Sequence, residues 1–273
     1  MKNKLKKLTS PQLIYTAYRN IEDKDIYWKC IHILHTRGTE EIFNITKEMV
    51  YSQDNLYRQL SADILAQFAY KTKLFHDECI YLLAKLMHDK NENVITEAIY
   101  GLSYRRALYY HKDLSNLSSH TSTDIREAVA HALGSIDTKE AIDALILLMI
   151  DKDFEVRNWA TFSLGQMIER NTPQICDALY QNLSDEEFEV RGEALLGLAL
   201  HKDERVKDII IEDLQKPFYG SWIFTSIEEV PDSKYIPYFE NYIKTLNEED
   251  KKAFSSDIEK ARKALSIIVG TNK

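Results

Sequence analysis

The sequence has few of the residues that make tight turns, with 8 Gly and 5 Pro among 273 residues. These 13 of 273 residues are about 5% of the chain, whereas average usage of the two types would give about 12%. Turn-rich β-sandwiches and β-barrels depend on Gly and Pro for their connections, so this scarcity argues against both folds. Hydrophobic residues make up 44% of the chain, which is too much for a disordered protein. The composition therefore predicts a helix-rich globular protein.

Cysteine and long apolar runs are scarce as well. Cys30, Cys79 and Cys176 lie far apart and form no CxxC motif, which indicates reduced, buried thiols and a cytoplasmic location. The longest apolar run covers residues 144–150, far short of the roughly 20 residues that span a membrane. The basic segment at residues 1–8 is not followed by an apolar stretch, so we expect neither a signal peptide nor a membrane protein.

Positive charge is the third shortage, because 35 Lys and Arg stand against 43 Asp and Glu, a net charge of −8. Residues 151–200 hold much of this excess, with 10 acidic side chains against 4 basic ones. A protein that grips phosphate backbones normally carries a basic surface, so we expect no nucleic-acid partner. An acidic surface instead favours association with basic partners.

What the sequence does contain is a repeat. Residues 124–134, 155–165 and 189–199 all read (D/E)-(V/I)-R-x-x-(A/V)-x-x-x-L-(G/A), and residues 56–66 and 93–103 are weaker copies. We name the residue at the V/I position the anchor. The anchors are Tyr57, Val94, Ile125, Val156 and Val190, with degenerate copies at Trp28 and Trp222. Their spacing of 29–37 residues predicts stacked helical hairpins, because one hairpin of this length cannot bury its apolar faces alone.

These units resemble HEAT repeats of the short bacterial kind found in phycobilin-lyase-like proteins, firmly over residues 124–198 and more loosely over residues 57–103. The resemblance implies an all-α, right-handed α-solenoid of about seven HEAT-like helical hairpins with helical caps, in which the second helices line the concave face. We expect a single domain, residues 1–273, made of an N-terminal cap helix (1–22), the repeats (23–247) and a C-terminal cap helix (248–273).

Acidic and basic residues recur at fixed distances around the anchors. Asp151 precedes Arg157 by six residues, and Asp185 precedes Arg191 by six. An Asp in a turn can cap the next helix while it pairs with an Arg of its own or the neighbouring unit. We therefore expect these four residues and Arg126 to form a structural ladder between repeats.

The sequence offers no motif for catalysis, since HExxH, GxSxG, GxGxxG and GxxxxGK(S/T) are all missing. Deoxyhypusine hydroxylase, a HEAT-like enzyme, binds iron through His-Glu pairs, and no His-Glu dipeptide occurs here. We expect a non-enzymatic protein without catalytic, metal-binding or cofactor-binding residues. An alkylpurine DNA glycosylase and a pigment lyase are the alternatives on this scaffold. We expect Trp28, Trp159 and Trp222 in first helices, on the convex or buried side, where they pack rather than stack on bases.

Two sets of residues are candidates for binding a partner. Polar positions of the later second helices would project towards the concave side: Glu140, Asp143, Asp177, Gln181, Asp208 and Glu212. The second set is a basic and aromatic segment at a turn: Tyr104, Arg105, Arg106, Tyr110 and His111. Carboxylates suit a basic partner, and Tyr and Arg dominate contact hot spots. We expect a monomer that captures a protein partner, and our specific hypothesis is an inhibitor or immunity protein against a basic nuclease toxin.

Overall fold

The computed structural model describes residues 2–217 and 220–271, and these residues contain helices and no β-strand. The absence of strands agrees with the scarcity of Gly and Pro. The helices form two compact units, residues 1–135 and residues 136–273. Each unit is built from helical hairpins, so the fold is the expected all-α solenoid. Whether the chain acts as a single domain stays a prediction.

In the first unit, the chain alternates between the first and second helices of successive hairpins. The α-helices are α1 (Lys2–Leu5), α2 (Ser10–Arg19), α3 (Lys24–Arg37), α4 (Glu40–Met49), α5 (Asn55–Gln67), α6 (His76–Leu86), α7 (Glu92–Tyr104), α8 (His111–Asn116) and α9 (Thr123–Leu133). Short 3-10 helices, Leu108–Tyr110 and Leu117–Ser119, flank α8. The first helices of the hairpins are α3, α5, α7 and α9, and the second helices are α4, α6 and α8.

The second unit continues this alternation. Its α-helices are α10 (Lys139–Leu148), α11 (Phe154–Phe162), α12 (Pro173–Asn182), α13 (Phe188–Leu200), α14 (Val206–Asp213), α15 (Trp222–Glu229), α16 (Ile236–Thr245), α17 (Glu248–Ala253) and α18 (Ser255–Thr271). A π-helical turn, Ser163–Met167, extends α11, and a 3-10 helix, Ser233–Tyr235, precedes α16. The first helices are α11, α13 and α15. The terminal helix α18 packs against α15 and so closes the row of first helices.

The helices begin where the sequence supplies side chains that can cap them. At the start of α5, Asp54 accepts a hydrogen bond of 2.9 Å from the backbone N–H of Leu56. At the start of α2, the backbone N–H of Thr9 donates to Gln12 Oε1 at 2.9 Å, and the Thr9 hydroxyl accepts in return from Gln12 N–H. These bonds satisfy N–H groups that have no partner inside the helix, and they define where each turn ends.

The anchor positions form the buried core, as the repeat predicts. Val156, Ala160 and Leu164 are spaced by four residues and are all fully buried. The small middle residue lets a neighbouring first helix come close. Gly165 and Gly197 show how close the approach becomes, because a Cβ atom on Gly165 would lie 2.8 Å from the Cα atom of Gly197. Only glycine fits at such a contact between helices.

The first helices pack on one another in an unbroken row within each unit. In the first unit α5 packs on α7 and α7 on α9, and in the second unit α11 packs on α13 and α13 on α15. The second helices pack on the first helices and make few contacts with each other. A row of hairpins bends towards the layer whose helices approach more closely. Within each unit the first helices therefore form the inner, concave layer, and the second helices form the outer layer. This corrects the expectation that the second helices line the concave face.

The anchor assigned to Trp28 is wrong by one residue. Trp28 is 47% exposed, whereas Tyr27 is 2% exposed and occupies the core position of α3. The repeat pattern is weak in this helix, so its register could not be read from the spacing of the anchors. Trp28 thus lies at the surface of the inner layer rather than on a convex or buried side. Trp159 and Trp222 are half-buried in first helices.

Arg157, which follows the anchor of α11, joins the turns of two successive repeats. Arg157 donates from Nε to Asp185 Oδ2 at 2.7 Å and from Nη2 to Asp185 Oδ1 at 3.0 Å. Its Nη1 donates to the backbone carbonyl of Asp151 at 2.9 Å. The Asp151 carboxylate accepts from the N–H of Asp153 at 2.9 Å and so shapes the same turn. One guanidinium therefore holds the turn before its own helix and the turn before the next first helix.

The same bonds recur in other repeats of the two units. Arg58 forms the corresponding paired bonds with Asp89, at 2.7 and 2.9 Å, although the sequence pattern is weak in that repeat. Arg126 donates to the carbonyl of His120 at 2.9 Å. Arg191 donates to the carbonyl of Asp185 at 2.8 Å. Arg58 also donates to the carbonyl of Ser52 at 2.9 Å. Arg58, Arg126 and Arg191 thus each bond to the carbonyl six residues before them, so each arginine sets the geometry of its own turn.

Gly197→Ala tests whether close approach of the first helices sets the packing. Helix propensity alone would make this change stabilising by about 1 kcal/mol. The new Cβ would lie 2.9 Å from Gly165 Cα. We therefore expect the cost of this steric clash to exceed the gain in helix propensity, so that the free energy of unfolding falls by about 1–3 kcal/mol. Urea unfolding followed by circular dichroism measures the sign, and a gain in stability would contradict the packing described here.

Asp185→Asn tests the arginine ladder. We expect a loss of about 3 kcal/mol in the free energy of unfolding, because the change leaves the buried Arg157 guanidinium without its charged partner. Burial favours the neutral form of Asp185, but hydrogen bonds from Arg157 and from the N–H of Glu187 outweigh it and hold the pKa of Asp185 below its ordinary value of 3.8.

The lowered pKa gives this prediction a pH dependence. A carboxyl with a depressed pKa in the folded state stabilises the fold fully above its unfolded pKa, and this stability is lost as the pH falls through the folded pKa. The difference in stability between wild type and Asp185→Asn should therefore shrink below about pH 4. Glu186→Gln is the matched control, since Glu186 is exposed and lies 3.8 Å from Arg157. An equal loss in both variants would rule out the ladder.

Candidate functional site

A groove runs along the inner layer of the first unit, across four successive first helices. It consists of two adjoining cavities of about 270 and 330 Å³ that share Glu97 and Tyr100. Its lining includes Lys24 and Trp28 from α3, Gln59 and Asp63 from α5, Glu97 and Tyr100 from α7, and Asp124 and Glu127 from α9. We name this surface the inner groove. Four helices contribute to it because the first helices stand side by side.

Helix α7 shows which positions of a repeat face the inner groove. They are one residue before the anchor and two, three, six and ten residues after it: Asn93, Thr96, Glu97, Tyr100 and Tyr104. In the five repeats anchored from Tyr57 to Val190, these positions carry seven carboxylates and neither Lys nor Arg. The carboxylates are Asp63, Glu97, Asp124 and Glu127 in the first unit and Glu155, Glu189 and Glu193 in the second. The groove-facing positions are therefore acidic.

Two carboxyl groups meet at the base of the inner groove. Asp63 is 5% exposed and accepts a hydrogen bond from the Tyr27 hydroxyl. The Glu97 carboxyl lies close enough to interact with the Asp63 carboxyl. Burial, followed by the charge of Glu97, raises the pKa of Asp63 well above its ordinary value, and burial also raises the pKa of Glu97. Two neighbouring carboxyl groups at a buried site disfavour the state in which both are ionised.

His35 supports the pair from α3 but is not a ligand for a metal ion. Its Nε2 donates to the backbone carbonyl of Asp63 at 2.9 Å. Burial lowers the pKa of His35 to about 4, so the ring is neutral at physiological pH. Among the described residues, no group of three His, Cys, Asp or Glu side chains is arranged to hold a metal ion.

Aromatic rings form the walls above the carboxyl pair. Trp28 is 47% exposed and Tyr104 is 49% exposed. The Trp28 ring packs edge-on against Tyr27, with centroids 5.3 Å apart, and Tyr100 packs edge-on against His131 at 5.5 Å. The rings are therefore held in place while part of their surface stays open to solvent.

Comparison with known proteins agrees with this repeat architecture. Residues 82–165 match the family model for HEAT repeats. This segment carries HEAT repeats. It is 26% identical to protein YibA of Escherichia coli strain K12 over 270 residues, which cover 96% of this chain and 94% of YibA.

Solved structures share this helical fold over most of the chain. The X-ray structure of E. coli YibA has a TM-score of 0.74 at 25% identity and covers 97% of this chain and 95% of YibA. An engineered protein has a TM-score of 0.53 at 15% identity, with 92% of this chain and 77% of that protein covered, and this likeness concerns the fold alone. Within the part of the chain described by the structure, no helix has the length and apolar character needed to cross a membrane.

The aromatic and basic segment that the sequence singled out does not form one surface of the HEAT repeats. Tyr104 lines the inner groove and Arg106 is exposed with a φ of 54°. Tyr110 and His111 are half-buried, and His111 Nδ1 donates to the carbonyl of Leu108 at 3.2 Å. Tyr104 is thus the member of the segment that the structure places in the groove.

Arg105 is buried, which corrects its assignment as a partner-binding residue. It is 3% exposed, and its Nε and Nη2 each donate at 2.7 Å, to the carbonyls of Leu65 and Phe68. Its Nη1 lies 3.2 Å from His76 Nδ1. The guanidinium satisfies carbonyls at the C-terminal end of α5, where a positive charge is also favoured by the helix dipole. Arg105 therefore holds the hairpin together.

The acidic residues of the second helices lie on the outer layer of the second unit. Glu140 and Asp208 are exposed. Asp143 forms an ion pair with Lys139 and accepts from Gln174 Nε2 at 3.1 Å, while Asp177 pairs with Arg205 at 2.8 Å. Positive side chains of the same surface therefore offset part of this negative charge.

Gln181 and Glu212 line a wider cavity of about 720 Å³ beside α12 and α14. Arg191 and Lys216 line it as well, so its charge is mixed. This cavity brings together two of the predicted residues, but its balanced charge selects no class of partner. The inner groove is the more selective surface, because Asp63, Glu97, Asp124 and Glu127 outnumber Lys24, the single Lys or Arg in its lining. Apart from Tyr104, its residues were not assigned to a site by the sequence analysis.

Arg105→Ala tests the structural role of this arginine. We expect the free energy of unfolding to fall by about 3–6 kcal/mol, because buried hydrogen bonds with a charged partner contribute about 1.5–3 kcal/mol each and two carbonyls would lose theirs. Thermal and urea unfolding measure the loss. The neighbouring Arg106→Ala is the control and should change stability by less than about 0.5 kcal/mol. A stable Arg105→Ala protein would restore this residue as a candidate for binding.

Proposed function

We propose that the chain is a non-enzymatic protein-binding module that holds a basic segment of a partner protein in the inner groove. The observation that carries this proposal is the lining of the inner groove, where α5, α7 and α9 supply four carboxylates and two tyrosines but neither Lys nor Arg, and α3 adds Trp28 and Lys24. Complementary charge raises association rates and rejects acidic competitors. Exposed Trp and Tyr rings add contact area at low entropic cost.

A small basic toxin, such as a nuclease, is the partner that we favour. Nucleases need a basic surface to hold phosphates, and an acidic groove complements that surface. A protein that covers it would act as an inhibitor or immunity protein. This finer assignment rests on charge complementarity alone.

The alternative on this scaffold is an enzyme that acts on DNA, of the alkylpurine DNA glycosylase type. Such an enzyme would need an aromatic ring beside a catalytic carboxylate, and Trp28 lies in the same cavity as Asp63. It would also need a basic trough for the phosphates. The acidic groove favours the protein-binding function, and release of alkylated bases from DNA by the purified chain would favour the enzyme. The groove offers no comparable support for a pigment lyase.

Paired variants of equal charge test the proposal. Asp124→Asn/Glu127→Gln removes two charges from the groove, and Glu140→Gln/Asp208→Asn removes two exposed charges from the outer layer. Each form would be used to capture proteins from the source cell, and the captured protein would be identified and its affinity measured at several salt concentrations. We expect a basic partner whose affinity falls about tenfold or more with the groove variant, falls with salt, and stays unchanged with the outer variant.

The opposite results are equally clear. Capture of an acidic partner, or of a basic partner whose binding is insensitive to salt, would contradict the proposal. Equal weakening by both variants would show that overall charge, and not the groove, determines binding. Melting temperatures of the variants, which should match the wild type because both sites are at the surface, separate these outcomes from unfolding.

A further inference from the structure

The smaller cavity of the inner groove has the size and the lining of a receptor for one side chain. Its volume of about 270 Å³ lies below the range of about 300–1,000 Å³ that is typical of sites for drug-sized ligands. Helix α3 contributes Trp28, α5 contributes Asp63, and α7 contributes Glu97 and Tyr104. Because α5 packs beside both α3 and α7, the aromatic residues flank the buried carboxyl of Asp63.

The carboxyl pair in this cavity forms no ion pair with a Lys or Arg among the residues that the structure describes. Asp63 accepts from the Tyr27 hydroxyl and lies beside Glu97. Lys24, which lines the adjoining cavity, acts on both carboxyls through its charge without forming a salt bridge with either. Buried carboxyl groups without a positive partner are costly to ionise.

Glu193 of the second unit provides a comparison, because side chains of the same unit donate hydrogen bonds to both of its oxygens. It follows its anchor by three residues, as Glu97 does. Trp222 donates from Nε1 to Glu193 Oε1 at 3.0 Å, and Gln166 donates to Oε2. Both oxygens of Glu193 therefore accept hydrogen bonds from the protein, whereas the Asp63 and Glu97 pair has the Tyr27 hydroxyl as its side-chain donor.

A guanidinium group matches the cavity better than an ammonium group. It is planar, stacks on aromatic rings, and donates parallel hydrogen bonds to carboxylates in a fork geometry. Cation–π attraction to Trp is strongest when the cation is shielded from water, as it would be above a buried carboxyl pair. An ammonium group would gain the charge interaction but would lose the stacking and the paired hydrogen bonds.

We propose that this cavity receives a single arginine side chain of the partner protein, with the guanidinium against Trp28 and Tyr104 and hydrogen-bonded to the carboxyl groups of Asp63 and Glu97. This inference rests on the proposed function, since it names the residue type by which the partner is recognised. The arginine supplies the ion-pair partner that the two carboxyl groups lack within the described part of the chain. The other acidic positions of the groove steer the basic segment, and this cavity selects arginine within it.

Peptides with one variable residue test the proposal on the full chain. The probes are Gly-Gly-Xaa-Gly-Gly amides in which Xaa is arginine, lysine or the neutral arginine analogue citrulline. The indole N–H signal of Trp28 in two-dimensional NMR spectra of the 15N-labelled protein reports on the cavity, and Trp28→Phe assigns this signal. We expect a saturable shift with the arginine peptide, binding at least about fivefold weaker with lysine, and no saturation with citrulline.

Two variants locate the binding. Glu97→Gln keeps the size of the side chain but removes a carboxylate, and we expect it to weaken arginine binding about tenfold or more. If this variant is unstable, Trp28→Ala at an exposed position serves the same purpose with backbone amide signals of α7 as the readout. Glu140→Gln on the outer layer is the control and should bind as the wild type does. Equal binding of arginine and lysine, unchanged binding by Glu97→Gln, or no saturable shift would overturn the proposal.

The outcome is separable from that of the proposed function. Capture that depends on Asp124 and Glu127, together with failure of the arginine peptide to bind, would leave the protein-binding function in place and remove the arginine cavity. Arginine binding together with capture that ignores Asp124 and Glu127 would keep the cavity and remove the wider role of the groove.

Discussion

Close approach of the first helices is the constraint on which the rest of this structure depends. Small residues such as Ala160 and the facing pair Gly165 and Gly197 let these helices stand side by side, while the second helices make few contacts with each other. The difference in spacing gives each unit an inner and an outer layer. It also places residues from four first helices in one groove, which no single hairpin could form.

The arginine ladder adds register to this packing. Hydrophobic contacts between helices are not directional, so they leave the relative position of successive hairpins loosely defined. Arg157 and Arg58 join the turn before their own helix to the turn before the next first helix. Each turn is therefore held relative to its neighbour within a unit. In the first unit, this register accompanies a groove lined by acidic residues of α5, α7 and α9.

The fold could be predicted from the sequence because the anchor pattern repeats strongly from Ile125 to Val190. The layer that forms the inner face could not, since it depends on which helices approach more closely in three dimensions. The core position of α3 was predicted one residue too late, because two aromatic residues are adjacent there. Tyr27 is buried, whereas Trp28 is exposed. Arg105 looked like a surface residue because nothing in its local sequence reveals the carbonyls of Leu65 and Phe68 that it satisfies. The sequence does contain a sign of the groove, because five positions of the repeat lack Lys and Arg. These positions can be selected only when the helices that form the inner layer are known.

The central claim is that the inner groove, and not the outer layer, holds the partner. Site-specific photo-crosslinking measures this directly, with a photoreactive amino acid placed either at Gln59, which lines the groove, or at Leu147, which is 50% exposed on second helix α10. With the captured partner bound, we predict a crosslinked product from position 59 and none from position 147. A product from position 147 without one from position 59 would contradict the account.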